Sequence, residues 1–382
     1  MKCDIIIPIW NQPEFTKDCI SHIIKNTHSP YRLILINNAS DHKTRDYLEG
    51  LKNVNGPELI MMCNDENLGF VKAVNQGLKI SSAPYICILN NDTIPADGWL
   101  EKMLDFAEIH KDVGLINPQC DGHLDTSIEA YAKDREKYRG IYMEMNQCQG
   151  FCMLIKREVI DKIGYLDESF GIGGFDDTDF SMRAYRAGYR SVCIYDSYVY
   201  HRQHKSFNAL QTKRERIVKE NEAIYFNKWG RHLRIAYVVT PAEIRNDIRL
   251  KEIILKILSL AREWCWVHVW VFGDIQLIGK FKDQIKELEM PLHQNIRYYF
   301  NQGNAFFSKI FITAFVMMKL LERSFGTKRR KRYDAVLLSG EDLKSFINRF
   351  RYLHNAVSLK DAGLAPKEIV EFIKNNAGKR SI

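Results

Sequence analysis

The apolar residues of this 382-residue chain fall into short, nearly unbroken runs separated by longer stretches of mixed polarity. DIIIPIW (4–10), RLILINN (32–38), ELIMMC (58–63) and YICILNND (85–92) are four such runs. Continuous apolar runs of this length, rich in branched residues, predict strands buried on both faces. Between them the spacing turns helical. Phe15, Cys19, Ile20, Ile23 and Ile24 share one side of a helix after the first run, and a second helix is expected over about 70–80. Strands alternating with helices predict a mostly parallel sheet covered on both faces. GFCMLIKREVI (150–160) reads as a strand entering a helix, SVCIYDSYVYHRQHKSF (191–207) as another strand, and about 210–229 as a closing helix. The stretch 121–140 has no clean period and is expected to be a surface loop or insertion that orders over a substrate.

After Gly230 the pattern restarts. LRIAYVV (233–239), WVHVWVF (266–272), NIRYYF (295–300) and YDAVLLS (333–338) predict strands, with helical runs at 243–262, 276–289, 305–325, 341–353 and 366–376. Two domains are therefore expected, 1–230 and 231–382, the second a smaller Rossmann-like α/β unit. It has neither GxGxxG after its first strand nor a P-loop, and bears a faint likeness to one half of a GT-B enzyme.

In open sheets of this kind ligands bind beyond the carboxyl ends of the strands. The segments to read are thus 8–11, 37–41, 64–69 and 90–93. In the last of these a buried strand runs into Asn90, Asn91, Asp92 and Thr93, a set of oxygen ligands suited to Mg²⁺ or Mn²⁺. An ordinary Asn/Asp turn explains the same four residues equally well. Further on, GIGGFDDTDFSMRAYRAGYR (171–190) places Asp176, Asp177 and Asp179 on a glycine-rich turn at the start of a helical run that Gly188 stops. Two readings stand side by side here, a general base and a helix cap. His201, behind an apolar strand and beside Arg202, Lys205 and Ser206, is a candidate for a cation site or a phosphate contact.

Composition narrows the class. A chain that is 46% hydrophobic can bury a large core, and its start runs straight into a strand with no leader pattern. Nine scattered cysteines without a CxxC pair predict reduced thiols and a cytosolic protein, with Cys148 and Cys152 as core thiols. The net charge of +8 is concentrated in KRRKR (328–332) and in Lys213, Arg214 and Arg216. No aromatic-interleaved single-strand motif accompanies it, so no nucleic acid is expected. The apolar run 305–321 that precedes KRRKR leaves two readings, a buried crossover helix or a peripheral helix on the inner face of an anionic membrane.

Seven stretches agree in order and spacing with one enzyme family: IIIPIWNQPE (5–14), LILINNASD (33–41), ENLGFVKAVNQGL (66–78), CILNNDT (87–93), GFCMLIKREVIDKIGYLDESF (150–170), GGFDDTDFSMRAYRAGYR (173–190) and VYHRQHKSF (199–207). Together they span about residues 2–230, some three fifths of the chain. The segment resembles a family 2 glycosyltransferase of GT-A fold, bacterial polysaccharide and rhamnosyltransferase-like branch. The resemblance implies an inverting, metal-dependent transfer from a nucleotide-diphospho-sugar donor to a glycan or lipid-linked glycan acceptor, in surface polysaccharide or glycoconjugate synthesis.

It implies site residues as well. Pro8, Trp10, Asn11, Asn37 and Asn38 would hold base and ribose, with Asn67, Lys72, Asn75 and Asn91 as further donor contacts. Asp92 and His201 would hold Mn²⁺ or Mg²⁺, Asp177 would be the general base, Asp176 would position the acceptor, and Asp179 would pair with Arg183. Two positions depart from the family pattern: Asn37 and Asn90 stand where relatives often carry Asp. A sugar nucleotidyltransferase would need a GGxGxR-type loop where PIWNQPE stands. An inactive sugar-nucleotide-binding module would have no need of Asp92, Asp177 and His201 together.

Overall fold

The computed structural model describes residues 2–51, 56–120, 126–202, 211–303, 309–325, 332–338, 357–360 and 365–377. The chain divides into two compact units, Met1–Gly230 and Arg231–Ile382.

The first unit is built on β1 (Cys3–Ile9), β2 (Tyr31–Asn38), β3 (Glu58–Asn64) and β4 (Tyr85–Leu89), which lie parallel in the order β4-β1-β2-β3. β1 and β4 carry almost only apolar residues because both faces are covered: Ile5, Ile6, Ile7, Cys87 and Ile88 are at most 1% exposed. Three crossover helices connect them, α1 (Pro13–Asn26), α2 (His42–Leu51) and α3 (Phe70–Ile80). The buried face of α1 is Thr16, Cys19, Ile20, Ile23 and Asn26, so the helical spacing held while Ile24 points outward. Packing is tight where α3 crosses the sheet. A Cβ at Gly77 would lie 2.5 Å from Ile6 Cγ2, so only glycine fits there.

Beyond β4 the sheet becomes mixed. β5 (Thr93–Pro95) and α4 (Trp99–Ile109) precede β6 (Val113–Gln119); after α5 (Ile128–Arg135) come β7 (Tyr142–Met145), β8 (Cys152–Lys156) and α6 (Arg157–Ile163). Then α7 (Asp176–Arg186) leads into the long β9 (Arg190–His201), and α8 (Gln211–Trp229) ends the unit. β8 pairs antiparallel with β4 and β6, β9 pairs parallel with β6, and β5 and β7 pair antiparallel with β9. This is a mixed α/β sheet flanked by helices, as expected from the sequence. One expectation is corrected: within 121–140 the chain forms α5, capped by Ser127 and packed through Ala132 and Tyr131 against Tyr198. The helix shows little hydrophobic periodicity because only one short stripe is covered. Residues 121–125 and 203–210, with His204, Lys205 and Ser206, lie outside the described residues.

The second unit is a parallel sheet in the order β13-β11-β10-β14-β15, formed by β10 (Arg234–Val239), β11 (Trp266–Gly273), β13 (Ile296–Gln302), β14 (Ala335–Leu338) and β15 (Val357–Lys360), with the short β12 (Leu292–His293) before β13. The helical run 243–262 is two helices, α9 (Pro241–Arg245) and α10 (Asp247–Arg262), because Asn246 leaves helical geometry and caps α10 through Arg249 N–H. α11 (Ile275–Glu287), α12 (Lys309–Phe325) and α13 (Pro366–Ala377) complete it. α12 buries Ile312, Val316 and Leu320 in the core that holds Val238, Trp270 and Leu338, which is the crossover-helix reading of that apolar run. Most of KRRKR (328–331) and the run 341–353 lie outside the described residues. No helix among the described residues is long and apolar enough to cross a membrane.

Candidate active site

The loops beyond β4, β1, β2 and β3 are stitched together by asparagine amides. After β1, Asn11 takes a left-handed conformation (φ 58°), donates its N–H to Ser40 Oγ at 3.0 Å and accepts from Asp41 N–H at 2.7 Å. Asn37 closes its own turn by accepting from Ser40 N–H. Asn38, buried, donates to Asn67 Oδ1 at 2.8 Å and accepts from Leu68 N–H and from Asn64 Nδ2 at 3.0 Å each. The Asn38 bonds explain why an amide rather than a carboxylate stands there: its side chain both donates and accepts. Asn37 and Asn38 are almost wholly buried, whereas Trp10 is 40% exposed at the end of β1. Lys72 is exposed on the first turn of α3, and Pro8 is half-buried within β1.

Asn75 needs correction. It is buried, its amide donates to Leu166 O and Glu168 Oε1, and it accepts from Leu166 N–H, so both ends of the amide are used inside the fold. It ties α3 to the chain before the glycine loop and offers a ligand no free group. Asn91 donates to Thr16 Oγ1 of α1 at 3.0 Å.

Asp92 and His201 meet across the β5–β9 pairing, where Thr93 stands opposite His201. His201 Nε2 lies 3.1 Å from Asp92 Oδ1 and 3.4 Å from Asn90 Nδ2. Asp92 is buried, and Arg202 N–H donates to its carbonyl. The imidazole is stacked on Phe151, with ring centroids 5.2 Å apart and planes inclined by 14°, which fixes its orientation. A separation of 3.1 Å suits two neighbouring donors on one octahedral ion with bonds of about 2.1 Å. No group of three or more His, Cys, Asp or Glu side chains suited to a metal exists among the described residues. Here the two side chains are hydrogen-bonded to each other; as ligands they would supply two positions to a cation and leave the others to phosphate oxygens and water.

The acidic turn is built on four left-handed residues, Gly171, Gly173, Gly174 and Phe175, the last at φ 69°. It delivers Asp176 and Asp177 as the first residues of α7. Asp177 Oδ1 accepts from Thr178 N–H at 2.7 Å, Thr178 Oγ1 at 3.2 Å and Gln147 Nε2 at 3.3 Å, and Oδ2 accepts from Gly150 N–H at 3.1 Å. Asp176 Oδ1 accepts from Gly174 N–H at 2.7 Å. Burial raises both carboxyls above the usual range. Asp176 rises to about 7, first through burial and then through the neighbouring Asp177 charge. Asp177 is raised by burial against the opposing pull of its four hydrogen bonds. Two adjacent carboxyls titrate as a pair. The one with more donors holds the charge, so we assign the shared proton to Asp176 and the carboxylate to Asp177.

Asp179 behaves differently. Fully buried, it is held by Arg183 Nε at 2.8 Å, Trp229 Nε1 at 2.8 Å and Lys228 Nζ at 2.7 Å. Its pairing with Arg183 is the one expected from their four-residue spacing; the links to Trp229 and Lys228 of α8 were not legible.

Gly150 and Phe151 join the two halves of the site. Gly150 N–H holds Asp177, and Phe151 stacks on His201 while its carbonyl accepts from Asn90 N–H at 2.8 Å. Gln147 and Gly150 escaped the sequence reading. The only available signal was the small-residue step in QCQGFC (147–152) before β8.

With this geometry in view, residues 4–164 match the family model described as "Glycosyl transferase family 2". The matched segment, about two fifths of the chain, is similar to family 2 glycosyltransferases. Among curated proteins, the domain is similar to an uncharacterized glycosyltransferase of Haemophilus influenzae, 29% identical over 104 residues, 27% of this chain and 32% of that protein. It is also similar to glycosyltransferase AglE of Haloferax volcanii, 23% identical over 225 residues, 56% of this chain and 71% of that protein. The chain thus spans about a third of the Haemophilus relative's length. A mannosyltransferase from Pyrobaculum calidifontis, solved with GDP-Man and Mn²⁺, aligns with a TM-score of 0.47 at 14% identity, over 92% of this chain and 84% of that one.

Proposed function

We propose that the N-terminal unit transfers a sugar from a nucleotide-diphospho-sugar to a hydroxyl of a glycan or lipid-linked glycan, with inversion, in polysaccharide or glycoconjugate assembly. The observation that carries this reading is the Gly150–Phe151 link, through which one short segment contacts both the half-buried Asp177 carboxylate and the Asp92–His201 pair suited to a cation. A glycosyl transfer needs both, a base at the acceptor and charge compensation at the departing diphosphate.

In this reading the acceptor oxygen attacks the anomeric carbon as the bond from that carbon to the diphosphate oxygen breaks. Asp177 takes the hydroxyl proton, and the nucleoside diphosphate leaves with the bond's electron pair. One displacement inverts the centre and requires no enzyme nucleophile. A divalent cation, when bound by Asp92 and His201, neutralises charge on the diphosphate. Trp10 and Asn11 line the base and ribose, Asn37 and Asn38 hold the loops that carry them through their buried amides, and Lys72 reaches phosphate. Asp176, holding the shared proton, donates a hydrogen bond to the acceptor. Choice of acceptor belongs to 121–149, of which 121–125 lie outside the described residues, and to the C-terminal unit.

The test is product analysis. Donor consumption with release of nucleoside diphosphate, and a product anomer opposite to the donor's, are expected from the wild type. Retention of configuration would overturn the single-displacement mechanism, and release of pyrophosphate would point to nucleotidyl transfer instead.

A further inference from the structure

Asn221 of α8 lies outside every motif that points to the site, yet it is buried and turned toward the acidic turn. Its Nδ2 donates to Phe170 O at 2.9 Å, Gly173 O at 3.1 Å and Gly174 O at 3.0 Å. An amide nitrogen has two hydrogens, so three carbonyls at these distances share them. A turn with four left-handed residues cannot continue regular backbone pairing, and its carbonyls need an outside donor when buried. Asn221 is that donor.

One of these bonds leads directly to the carboxylates. Gly173 O and Gly174 N–H belong to the same peptide group, and Gly174 N–H donates to Asp176 Oδ1 at 2.7 Å. The chain of contacts therefore runs from the Asn221 amide through peptide 173–174 to the Asp176 carboxyl. Linked hydrogen bonds strengthen one another when polarised in the same direction, as these are. The apolar surroundings hold the chain in place. Phe175 packs on Tyr225 and Phe226 one turn further along α8, with ring centroids 5.5 and 6.3 Å away, and a Cβ on Gly174 would touch Val218 at 3.6 Å.

We infer that Asn221 is a positioning residue for the Asp176–Asp177 turn, acting through the 173–174 peptide and touching neither donor nor acceptor. This rests on the glycosyl-transfer reading for its kinetic consequence, though not for its structural one. Its loss should misplace the carboxyls without altering the strand-end loops that would hold the donor.

The experiment uses the full chain and two variants, Asn221→Ala and Asn221→Asp, each with two readouts. With glycine-selective ¹⁵N labelling, the Gly174 amide resonance should move in both variants, because the peptide loses its acceptor-side bond. In steady-state transfer, kcat should fall about 10–100-fold with the donor KM within about twofold, the pattern of a misplaced reacting group. Asn221→Asp should be no better than Asn221→Ala, since a carboxylate of the same shape cannot donate to three carbonyls. An unmoved Gly174 resonance, an unchanged kcat, or full rescue by Asp would each overturn the inference. If the wild type transfers no sugar, the functional reading fails by itself, and the Gly174 resonance still decides whether Asn221 holds the turn.

Discussion

Both units are built on runs of parallel strands joined by helices, yet they use the polar residues at those strand ends in different ways. At the ends of β10 and β11 those residues serve the next helix. Thr240 and Glu243 form a capping box, with Thr240 N–H donating to Glu243 Oε2 at 2.7 Å, and Asp274 Oδ1 accepts from Leu277 N–H at 2.9 Å. In the first unit they reach much further. Asn11 binds residues of the β2 loop, Asn91 binds α1, and Asp92 meets His201 across more than a hundred residues of sequence. Local caps leave a strand end chemically closed. Long-range links instead hold loops open around Trp10, the Asp92–His201 pair and the Asp176–Asp177 turn. Strand ends of one architecture can therefore be committed to local caps or to long-range links around a site, and the difference lies in what their loop residues are bonded to.

Breaking the site should have the largest effect. Asp177→Asn keeps the shape of the side chain and removes its basicity, so turnover should fall about a thousandfold with donor affinity within about twofold. Asp274→Asn in the second unit should leave turnover unchanged, and transfer assays on the pair test the contrast directly. Next comes Gly69→Ala. Gly69 has φ +82°, and a Cβ there would sit 3.0 Å from Gly171 O and 3.1 Å from Ile172 Cα, both backbone atoms. Strain of this kind costs about 1–3 kcal/mol, which urea denaturation would detect. Thr240→Ala should cost about 1 kcal/mol by removing a helix cap and leave transfer unaffected.

The smallest effect is one of pH. Asp176 keeps its proton to about pH 7 when folded because it is buried and beside Asp177. In the unfolded chain it ionises near its ordinary value of about 4. A carboxyl raised in this way costs stability progressively as pH rises through that window. Asp176→Asn removes the cost, so its melting temperature should match the wild type near pH 4 and exceed it at pH 8. Equal melting curves at both values would place Asp176 in a more polar setting than the one described here.

Much of this was legible in the sequence. Continuous apolar runs located β1 to β4, and the helical spacing of Cys19, Ile20 and Ile23 located α1. Burial on both faces explains the runs of β1, β2 and β4, whereas β3, at the end of the strand order, is only half-buried despite its apolar run. β6 and β7 were missed. β6 (VGLINPQ) carries Gly, Asn and Pro in a strand, and β7 (YMEM) is short with a buried Glu144 that is charged but paired with Arg190. The acidic turn and Asp92 could be found because carboxylates crowded at a glycine turn are unusual on any reading. Asn75 was misjudged for the opposite reason: an asparagine tying two segments together looks, in sequence, the same as one facing a ligand. Asn221 and Lys228 left no local signal, and Gln147 and Gly150 only the small-residue step in QCQGFC, since each acts on a residue far away in the chain.

The most direct test of the whole account is calorimetric titration of UDP, GDP, dTDP and CMP with Mn²⁺ into the wild type and into Asp92→Ala. One nucleotide should bind at a single site only when the cation is present, and that binding should weaken at least tenfold in Asp92→Ala. Failure of every nucleotide to bind, or binding indifferent to both Mn²⁺ and Asp92, would contradict the assignment of these strand ends as a nucleotide-sugar site.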